Sequence, residues 1–235
     1  MHISSFTEEM ERLAPPGLAE EFDLGKIGLV IEGRPEINTI CCALDATPFV
    51  VREAVRAGAD MLVVHHTPLW TPLTALTGRT AGLVRTVLAA EMNLYVMHTN
   101  FDRAKGGVND ILSGILSLEN ITPMSLGNVG TCTLSIKEIS RRLSCRLRIW
   151  GGLKTCDRLA VVAGSGFDPI VLEEAKTLGA DAFLSAELKH SVMRASLLPC
   201  IEATHYALEA PAMEHLAAKR NWQYIADPPE LVYIP

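Results

Sequence analysis

Short apolar runs alternate with amphipathic stretches along the whole chain. In the first half, the runs 27–31, 37–44, 61–64 and 94–97 predict strands, and the stretches 48–57, 82–91 and 108–118 predict helices. In the second half, strands are predicted at 129–134, 159–163, 182–184 and 200–203, and helices at 136–143, 169–178, 188–196 and 208–219. Strands that alternate with helices in this way are typical of α/β architecture with a mostly parallel sheet.

Local signals indicate where the two blocks divide. The segment 118–130 interrupts the periodicity with four turn-favouring residues, Asn120, Pro123, Gly127 and Asn128. We therefore expect a boundary near residue 125, with an N-terminal α/β lobe of residues 1–125 and a C-terminal α/β lobe of residues 126–235. Beyond it, Ser135 and Glu138 have the spacing of a capping box, which predicts that a helix begins at Ile136.

Composition narrows the class of protein. The chain has 235 residues, of which 49% are hydrophobic, so it can bury a sizeable core. Its formal net charge of -6 gives no basic surface that would attract nucleic acid or an anionic membrane. The apolar runs are far shorter than a membrane span, and the acidic stretch 1–13 is unlike a signal peptide. We expect a cytoplasmic protein with neither nucleic acid nor membrane as a partner.

The cysteines do not form a recognisable ligand motif. Six are scattered along the chain with no CxxC pair, at positions Cys41, Cys42, Cys132, Cys145, Cys156 and Cys200. Their surroundings are mostly apolar, which predicts buried thiols. A cytoplasmic location also argues against structural disulfides.

Polar side chains follow the predicted strand at 61–64. His65 and His66 come directly after this buried run and before a loop that contains Pro68. Ligands of open α/β sheets lie beyond the carboxyl ends of the strands, so His65 and His66 stand where ligand-binding side chains are expected. Consecutive residues on an extended backbone point in opposite directions, so the pair can serve two neighbouring metals. The alternative is one histidine that caps the loop and one that is a satisfied interior group.

A second strand end carries a similar set. His98, Thr99, Asn100 and Asp102 follow the apolar run at 94–97. Asp102 supplies a hard anionic oxygen ligand, or it caps the following turn. His98 is either a further ligand or a residue that orients one.

The third strand end leads into a helix. His205 and Glu209 are spaced i, i+4, so their side chains lie on one helix face and can close on one ion. An imidazole and a carboxylate are usual ligands of zinc, iron or manganese where no thiolate is present. Taken alone, the spacing is more typical of an ordinary helix face with an i, i+4 hydrogen bond.

The coincidence of these three strand ends favours a metal site. Five of the seven histidines fall at or near such ends, namely His65, His66, His98, His190 and His205. The ligand set predicts two divalent ions, with Glu209 as the natural bridging group. Ions in such sites lie roughly 3.5 to 4 Å apart and activate a shared water, which is hydrolytic chemistry.

Other signals are weaker. Glu187, Lys189 and His190 follow the strand at 182–184, where they are either an acid–base set or an exposed first helical turn. Gly164 and Gly166 form either an anion-binding loop or a plain tight turn. The three tryptophans, Trp70, Trp150 and Trp222, are expected to be packing residues, because no basic patch accompanies them.

The segments VVHHTPLW, MHTNFDRAKGGVND, AGSGF, SAELKH and THYALE, in this order, resemble the GTP cyclohydrolase 1 type 2 homologue family, also called NGG-interacting-factor-three-like. The resemblance covers nearly the whole chain, from the ALDAT segment at 43–47 to the last helix. It implies two α/β lobes, each a mixed and mostly parallel sheet flanked by helices, with a dinuclear metal centre in the cleft between them. It also implies a ring-shaped homo-oligomer, commonly a hexamer.

Carried over residue by residue, the resemblance implies five metal ligands, His65, His66, Asp102, His205 and Glu209, with Glu209 bridging two ions. His98 becomes a neighbouring residue of the site, and Glu187 matches the glutamate of the family's TGE segment, here SAE. We count Glu187 and His98 as candidate catalytic residues. Two departures concern the substrate and the N-terminal structure. Thr67 follows the histidine pair where the family has proline, and FDLGKIGL stands where the family has an aspartate-asparagine pair.

The function predicted first is a hydrolase that uses two divalent metal ions, zinc, iron or manganese, on a small molecule such as a nucleotide. The family label specifies opening of the GTP imidazole ring, whereas the motifs indicate only the activated water. The competing prediction is a non-catalytic metal-binding oligomeric scaffold, or a regulatory or metal-handling protein. A metal-free Rossmann domain is disfavoured, because no GxGxxG with a later acidic residue follows the first strand.

Overall fold

The computed structural model describes residues 1–153, 156–232 and 234. The chain forms two compact units. The first comprises Met1–Ala104 together with Met213–Pro235, and the second comprises Lys105–Ala212. Each unit has its own sheet and its own hydrophobic core.

The first unit begins with a helix that packs through three apolar residues, Ile3, Phe6 and Met10. Its elements up to Ala104 are α1 (Ile3–Leu13), β1 (Gly28–Ile31), β2 (Ile40–Asp45), α2 (Pro48–Arg56), β3 (Met61–His66), α3 (Gly78–Ala89), β4 (Asn93–Val96) and α4 (Thr99–Arg103). Two short 3-10 turns, Pro16–Leu18 and Glu21–Asp23, lie between α1 and β1.

The second unit contains α5 (Val108–Ile115), β5 (Glu119–Pro123), β6 (Asn128–Thr131), α6 (Ile136–Arg142), β7 (Arg148–Trp150), β8 (Arg158–Val161), α7 (Pro169–Thr177), β9 (Ala182–Ser185), α8 (His190–Ala195) and β10 (Cys200–Glu202). The last helix, α9 (His205–Arg220), starts in this unit, and its final turns belong to the first unit, as does β11 (Gln223–Tyr224).

The sheet of the first unit has the strand order β1-β4-β3-β2-β11. Strands β4, β3, β2 and β11 run parallel, and β1 is antiparallel at the edge. Because β3 lies at the centre, Leu62 and Val64 are fully buried among apolar side chains from α2 and α3. The parallel strands bring the carboxyl ends of β2, β3 and β4 to one edge of this sheet.

The sheet of the second unit has the strand order β5-β6-β8-β9-β10-β7. Its centre, β8, β9 and β10, is parallel, whereas β6 and β7 flank it in the antiparallel sense. The predicted α/β class with two mixed sheets is confirmed. The prediction of a mostly parallel sheet holds for the first unit, and the second sheet is mixed because short antiparallel strands cover both edges of its parallel centre.

The division into units differs in position from the predicted boundary. Residue 125 lies in the turn between β5 and β6, inside the second unit. The first unit ends at Ala104, directly after α4, and the chain returns to it at Met213. The physical reason is the pairing of β11 with β2, in which Gln223 lies opposite Cys41.

Most predicted elements are present with ends shifted by a few residues, and the Ser135 half of the predicted capping box of α6 is confirmed. The Ser135 side chain accepts a hydrogen bond from the Glu138 N–H at 3.2 Å. The Glu138 carboxylate pairs with Arg141 and Arg142. The sequence pattern did not predict α1, α4, β5, β7 or β11. Most of these are five residues or fewer in length, too short for a periodic signal.

The cysteines are free thiols, and five of the six are buried, as predicted. Burial raises the pKa of Cys41, Cys42 and Cys200. Cys132 differs, because a hydrogen bond from Cys156 lowers its pKa to about 6.

Among the residues that the structure describes, no helix is long and apolar enough to span a membrane.

Candidate metal centre

Three histidines gather at the carboxyl edge of the first unit's sheet. His65 and His66 end β3, and His98 follows the neighbouring strand β4. One ring nitrogen from each of the three lies within 4.8 Å of those of the other two. His65 is fully buried, and His66 and His98 are partly exposed. The rim of this sheet therefore presents a set of imidazoles dense enough to hold a cation.

The prediction that His65 and His66 point in opposite directions is wrong. Their ring centroids are 4.9 Å apart. His66 is the last residue of β3, where the chain leaves the sheet, so the alternation of side chains is not enforced there. The neighbouring strand then sets its direction, since Asp45 of β2 is the register partner of His66.

A carboxylate holds the Nδ1 atom of two of these rings. His66 Nδ1 lies 2.7 Å from Asp45 Oδ1, and His98 Nδ1 lies 2.8 Å from Asp23 Oδ2. A carboxylate accepts hydrogen bonds, so each contact favours the neutral tautomer with its proton on Nδ1, in which Nε2 is the metal-binding atom. Metal-binding histidines are held in this way in proteins.

Asp23 is completely buried, at the end of a 3-10 turn. Burial by itself raises the pKa of Asp23, but hydrogen bonds from His98 and Thr99 outweigh it and leave the pKa below its ordinary value. The Thr99 hydroxyl and backbone N–H both donate to this carboxylate. Asp23 is therefore an ionised anchor for the first turn of α4 as well as for His98.

Asp102 lies one helical turn beyond His98, inside α4. Its backbone N–H donates to the His98 carbonyl, and its Oδ1 lies 3.5 Å from His65 Nε2. The N-cap position of α4 is His98, so Asp102 does not cap this helix. The side chain is buried and faces the imidazole of His65, an arrangement compatible with a shared cation.

The second unit holds the other predicted residues. His205 Nε2 lies 2.9 Å from Glu209 Oε2, one turn apart on α9, and His205 Nδ1 lies 2.7 Å from Glu187 Oε1. Glu209 is only 2% exposed. His205 and Glu209 thus make the i, i+4 contact expected of an ordinary helix face. A buried carboxylate, however, is not part of an ordinary solvent-facing helix surface.

The loop 164–166 approaches Glu209 closely. Gly164 has φ +66°, and a Cβ at this position would lie 2.3 Å from Glu209 Oε1. The buried hydroxyl of Ser185 closes the loop, since it donates to the Gly164 carbonyl and accepts from the Gly166 N–H. The glycines thus form a tight turn, and the turn leaves room for a carboxylate of the same unit.

Lys189 and His190 are exposed at the start of α8. Of the three residues proposed there as an acid–base set, the structure brings only Glu187 to His205. Lys189 and His190 fit the alternative of an exposed first turn.

The sequence did not reveal the importance of Asp23, Asp45 and Ser185. Asp45 ends β2 beside the histidine pair, so the strand-end argument that found His65 applies to it as well. Asp23 lies far away in the sequence, 75 residues before His98, and no local pattern connects the two.

Two exposed aromatic side chains lie beside the histidines. Trp70 is 43% exposed and Phe22 is 55% exposed, and their ring centroids lie 5.2 Å and 6.1 Å from that of His98. The expectation that Trp70 is a packing residue is therefore wrong. Trp222 does pack in the core, 6.0 Å from the Phe6 ring.

The fold and these side chains define an α/β protein with two mixed sheets and histidine–carboxylate clusters able to hold a metal ion. Imidazole nitrogens and carboxylate oxygens fit zinc, iron or manganese, which share this ligand preference.

Comparison with known proteins identifies the family. Residues 1–224 match the family model described as Duf34/NIF3 (NGG1p interacting factor 3). A Streptomyces coelicolor relative named GTP cyclohydrolase 1 type 2 homolog is 32% identical, over 92% of this chain and 85% of its own length. The chain belongs to the Duf34/NIF3 family, as the sequence motifs predicted.

Solved structures agree with the fold. Reduced HcgD from Methanocaldococcus jannaschii superposes with a TM-score of 0.81 at 28% identity, over 95% of this chain and 96% of HcgD. A Bacillus cereus protein related to NIF3 gives a TM-score of 0.85 at 18% identity, over 100% of this chain and 99% of the other.

Proposed function

We propose that this protein is a hydrolase that uses two divalent metal ions to act on a small molecule. The ligands proposed are the five residues that the motifs indicated, His65, His66, Asp102, His205 and Glu209. Three kinds of finding support the proposal: the family, the strand-end position of each histidine, and the carboxylates that surround the imidazoles.

The observation that carries the proposal is the contact between a carboxylate and Nδ1 of two of the proposed ligand histidines. Asp45 holds Nδ1 of His66, and Glu187 holds Nδ1 of His205. Each contact orients the ring and favours the tautomer in which Nε2 is the atom that binds a metal ion. A histidine that only caps a loop has no need of this second contact.

Bound metal ions would supply an acidified water and stabilise negative charge on the reacting group. The chain's own residues orient the ligands. Glu187 and His98 were predicted to be catalytic, but Glu187 Oε1 is engaged with His205 and His98 Nδ1 with Asp23. We assign both as positioning residues rather than as the acid and base of the reaction.

The substrate proposed is a nucleotide or a related heterocycle. The name of the Streptomyces coelicolor relative points to GTP as the first molecule to examine. We also propose that the chain assembles into a homo-oligomer, with a hexamer as the expected size from the family resemblance. Light scattering of the purified protein measures this size directly.

The experiment is a turnover assay on protein reloaded with zinc, iron or manganese, against a panel of nucleotides that includes GTP. Metal-dependent product formation, lost on chelation and restored by the metal, is the expected result. Two ions per chain with no turnover on any nucleotide would instead favour the non-catalytic metal-binding scaffold. Turnover that persists in chelator would contradict the proposal.

A further inference from the structure

Trp70 stands beside the histidine cluster and is held there by ring contacts. Its ring meets that of His98 at an interplanar angle of 77° and lies 6.5 Å from that of His66. Even so, 43% of the residue is exposed. An aromatic ring that is both fixed and exposed can stack on a planar ligand at little conformational cost.

Positive charge accompanies this ring. The Lys26 ammonium lies 5.7 Å from the Trp70 centroid and 6.0 Å from that of Phe22. No basic patch is visible in the sequence around Trp70, because Lys26 lies 44 positions away in the chain. Folding brings the cation and the two rings together, all within the first unit.

A cavity of about 250 Å³ is lined by His66 and Trp70. Trp70 forms one wall, and Arg79, Thr80 and Thr47 contribute polar groups. The Asp45 carboxylate also lines the cavity, and its Oδ1 contacts His66 Nδ1. Arg79 lies in the first turn of α3, and among the described residues this turn contains no acidic side chain. The helix dipole disfavours a cation at this position. Among the residues that the structure describes, Arg79 makes no ion pair, so its charge remains available to an anion.

We propose that this cavity and the Trp70 ring form the substrate subsite, and that it takes a planar heteroaromatic ring bearing one phosphate group. The ring stacks on Trp70, and Arg79 pairs with the phosphate. The site rests on the proposed function, because it places such a molecule beside the proposed ligand His66.

The size and the polarity of the cavity argue for this class of ligand. A volume of 250 Å³ lies just below the usual range of about 300 to 1,000 Å³ for ligand pockets, so it suits one ring and one anionic group. Arginine matches the geometry of a phosphate through paired N–H donors. A neutral ligand would not use Arg79, and a purely aliphatic ligand would not use the Trp70 ring.

The test is isothermal titration of the metal-loaded protein with three probes: guanosine 5′-monophosphate, guanosine and ribose 5-phosphate. The nucleotide should bind at least about tenfold more tightly than either fragment, because each fragment lacks one of the two contacts. Equal affinity for ribose 5-phosphate and the nucleotide would show that no ring is recognised, and would overturn the proposal.

Variants separate the two contacts. Arg79→Gln should weaken nucleotide binding by about tenfold or more and leave guanosine binding unchanged. Trp70→Ala should weaken both, whereas Trp70→Phe should restore most of the affinity because it retains an aromatic face. Arg85→Gln is the matched control, since Arg85 is exposed on the same helix and does not line the cavity.

These outcomes are independent of those that test the proposed hydrolase. Metal content is measured on every variant, and an unchanged value shows that a loss of binding arises in the subsite. Binding of the nucleotide without turnover would leave the subsite standing and contradict the hydrolase. Unchanged nucleotide binding in both Arg79→Gln and Trp70→Ala would overturn the subsite, whatever the catalytic result.

Discussion

Gly164 lies so close to the Glu209 carboxylate that an alanine methyl group does not fit there. The Gly164 Cβ would lie 2.3 Å from Glu209 Oε1, and the residue has φ +66°. We predict that Gly164→Ala displaces the Glu209 carboxylate and lowers metal affinity. The matched control is Gly106→Ala, since Gly106 has φ +72° but nothing within 4 Å of the added carbon.

Metal affinity of the two variants is measured by competition with a chelator, and folding by circular dichroism. Both variants share the strain of a positive φ, so only the approach to Glu209 distinguishes them. Equal metal affinity in Gly164→Ala and Gly106→Ala would show that the position of Glu209 does not matter for the ion.

Glu187 acts through His205. We predict that Glu187→Gln weakens metal binding by roughly 10- to 100-fold without abolishing it, because His205 remains but its Nδ1 no longer faces a negatively charged group. Glu173→Gln serves as the control, since Glu173 is an exposed glutamate on α7. Affinity comparable to that of the unmodified protein would remove Glu187 from the site.

The lowered pKa of Asp23 predicts that the stability of the protein depends on pH. Its pKa is lowered in the folded protein, so its carboxylate contributes stability above the unfolded pKa of about 3.9, and this contribution is lost as pH falls through the folded value. Asp23→Asn should therefore lower the free energy of unfolding by about 1–3 kcal/mol at neutral pH.

The difference between Asp23→Asn and the unmodified protein should shrink once the pH falls well below about 3.9. Urea unfolding at neutral and acidic pH measures it. A difference that does not change with pH would mean that the charge of Asp23 contributes nothing to folding.

At the scale of elements, the sequence predicts long periodic segments well and short ones poorly. The central strands β2, β3 and β4 and the helices α2 and α7 were found because burial imposes a pattern over many residues. Strand β11 has two residues, and its pairing with β2 depends on the whole path of the chain. Helix α4 was missed because its five residues depend on Asp23, a distant anchor.

The N-cap of α6 gives a prediction at this scale. Ser135→Ala should lower the free energy of unfolding by about 1 kcal/mol, because the Glu138 N–H loses its acceptor. Ser135→Asp should retain most of the stability, since aspartate is also a good N-cap residue. Chemical denaturation of both variants measures this, and equal stability of Ser135→Ala and the unmodified protein would contradict it.

At the scale of the whole molecule, the order of the motifs identified the family, and the alternation of strands and helices predicted the α/β class. The sequence did not predict the position of the division into units. The ligand residues were found because strand ends can be recognised locally. Their carboxylate partners were found only in part, because hydrogen bonds such as that between Asp23 and His98 join distant segments. The return of residues 213–235 to the first unit depends on pairing that no local pattern encodes.

The central claim is that His205 and Glu209 are ligands of a metal pair. Elemental analysis of metal per chain tests it on three folded proteins: the unmodified chain, the His205→Ala, Glu209→Ala double variant, and a His190→Ala, Glu173→Ala control at exposed positions. We predict about two ions per chain in the unmodified and control proteins after reloading. The double variant should lose both. Full metal content in the folded double variant, or none in the unmodified protein, would contradict the account.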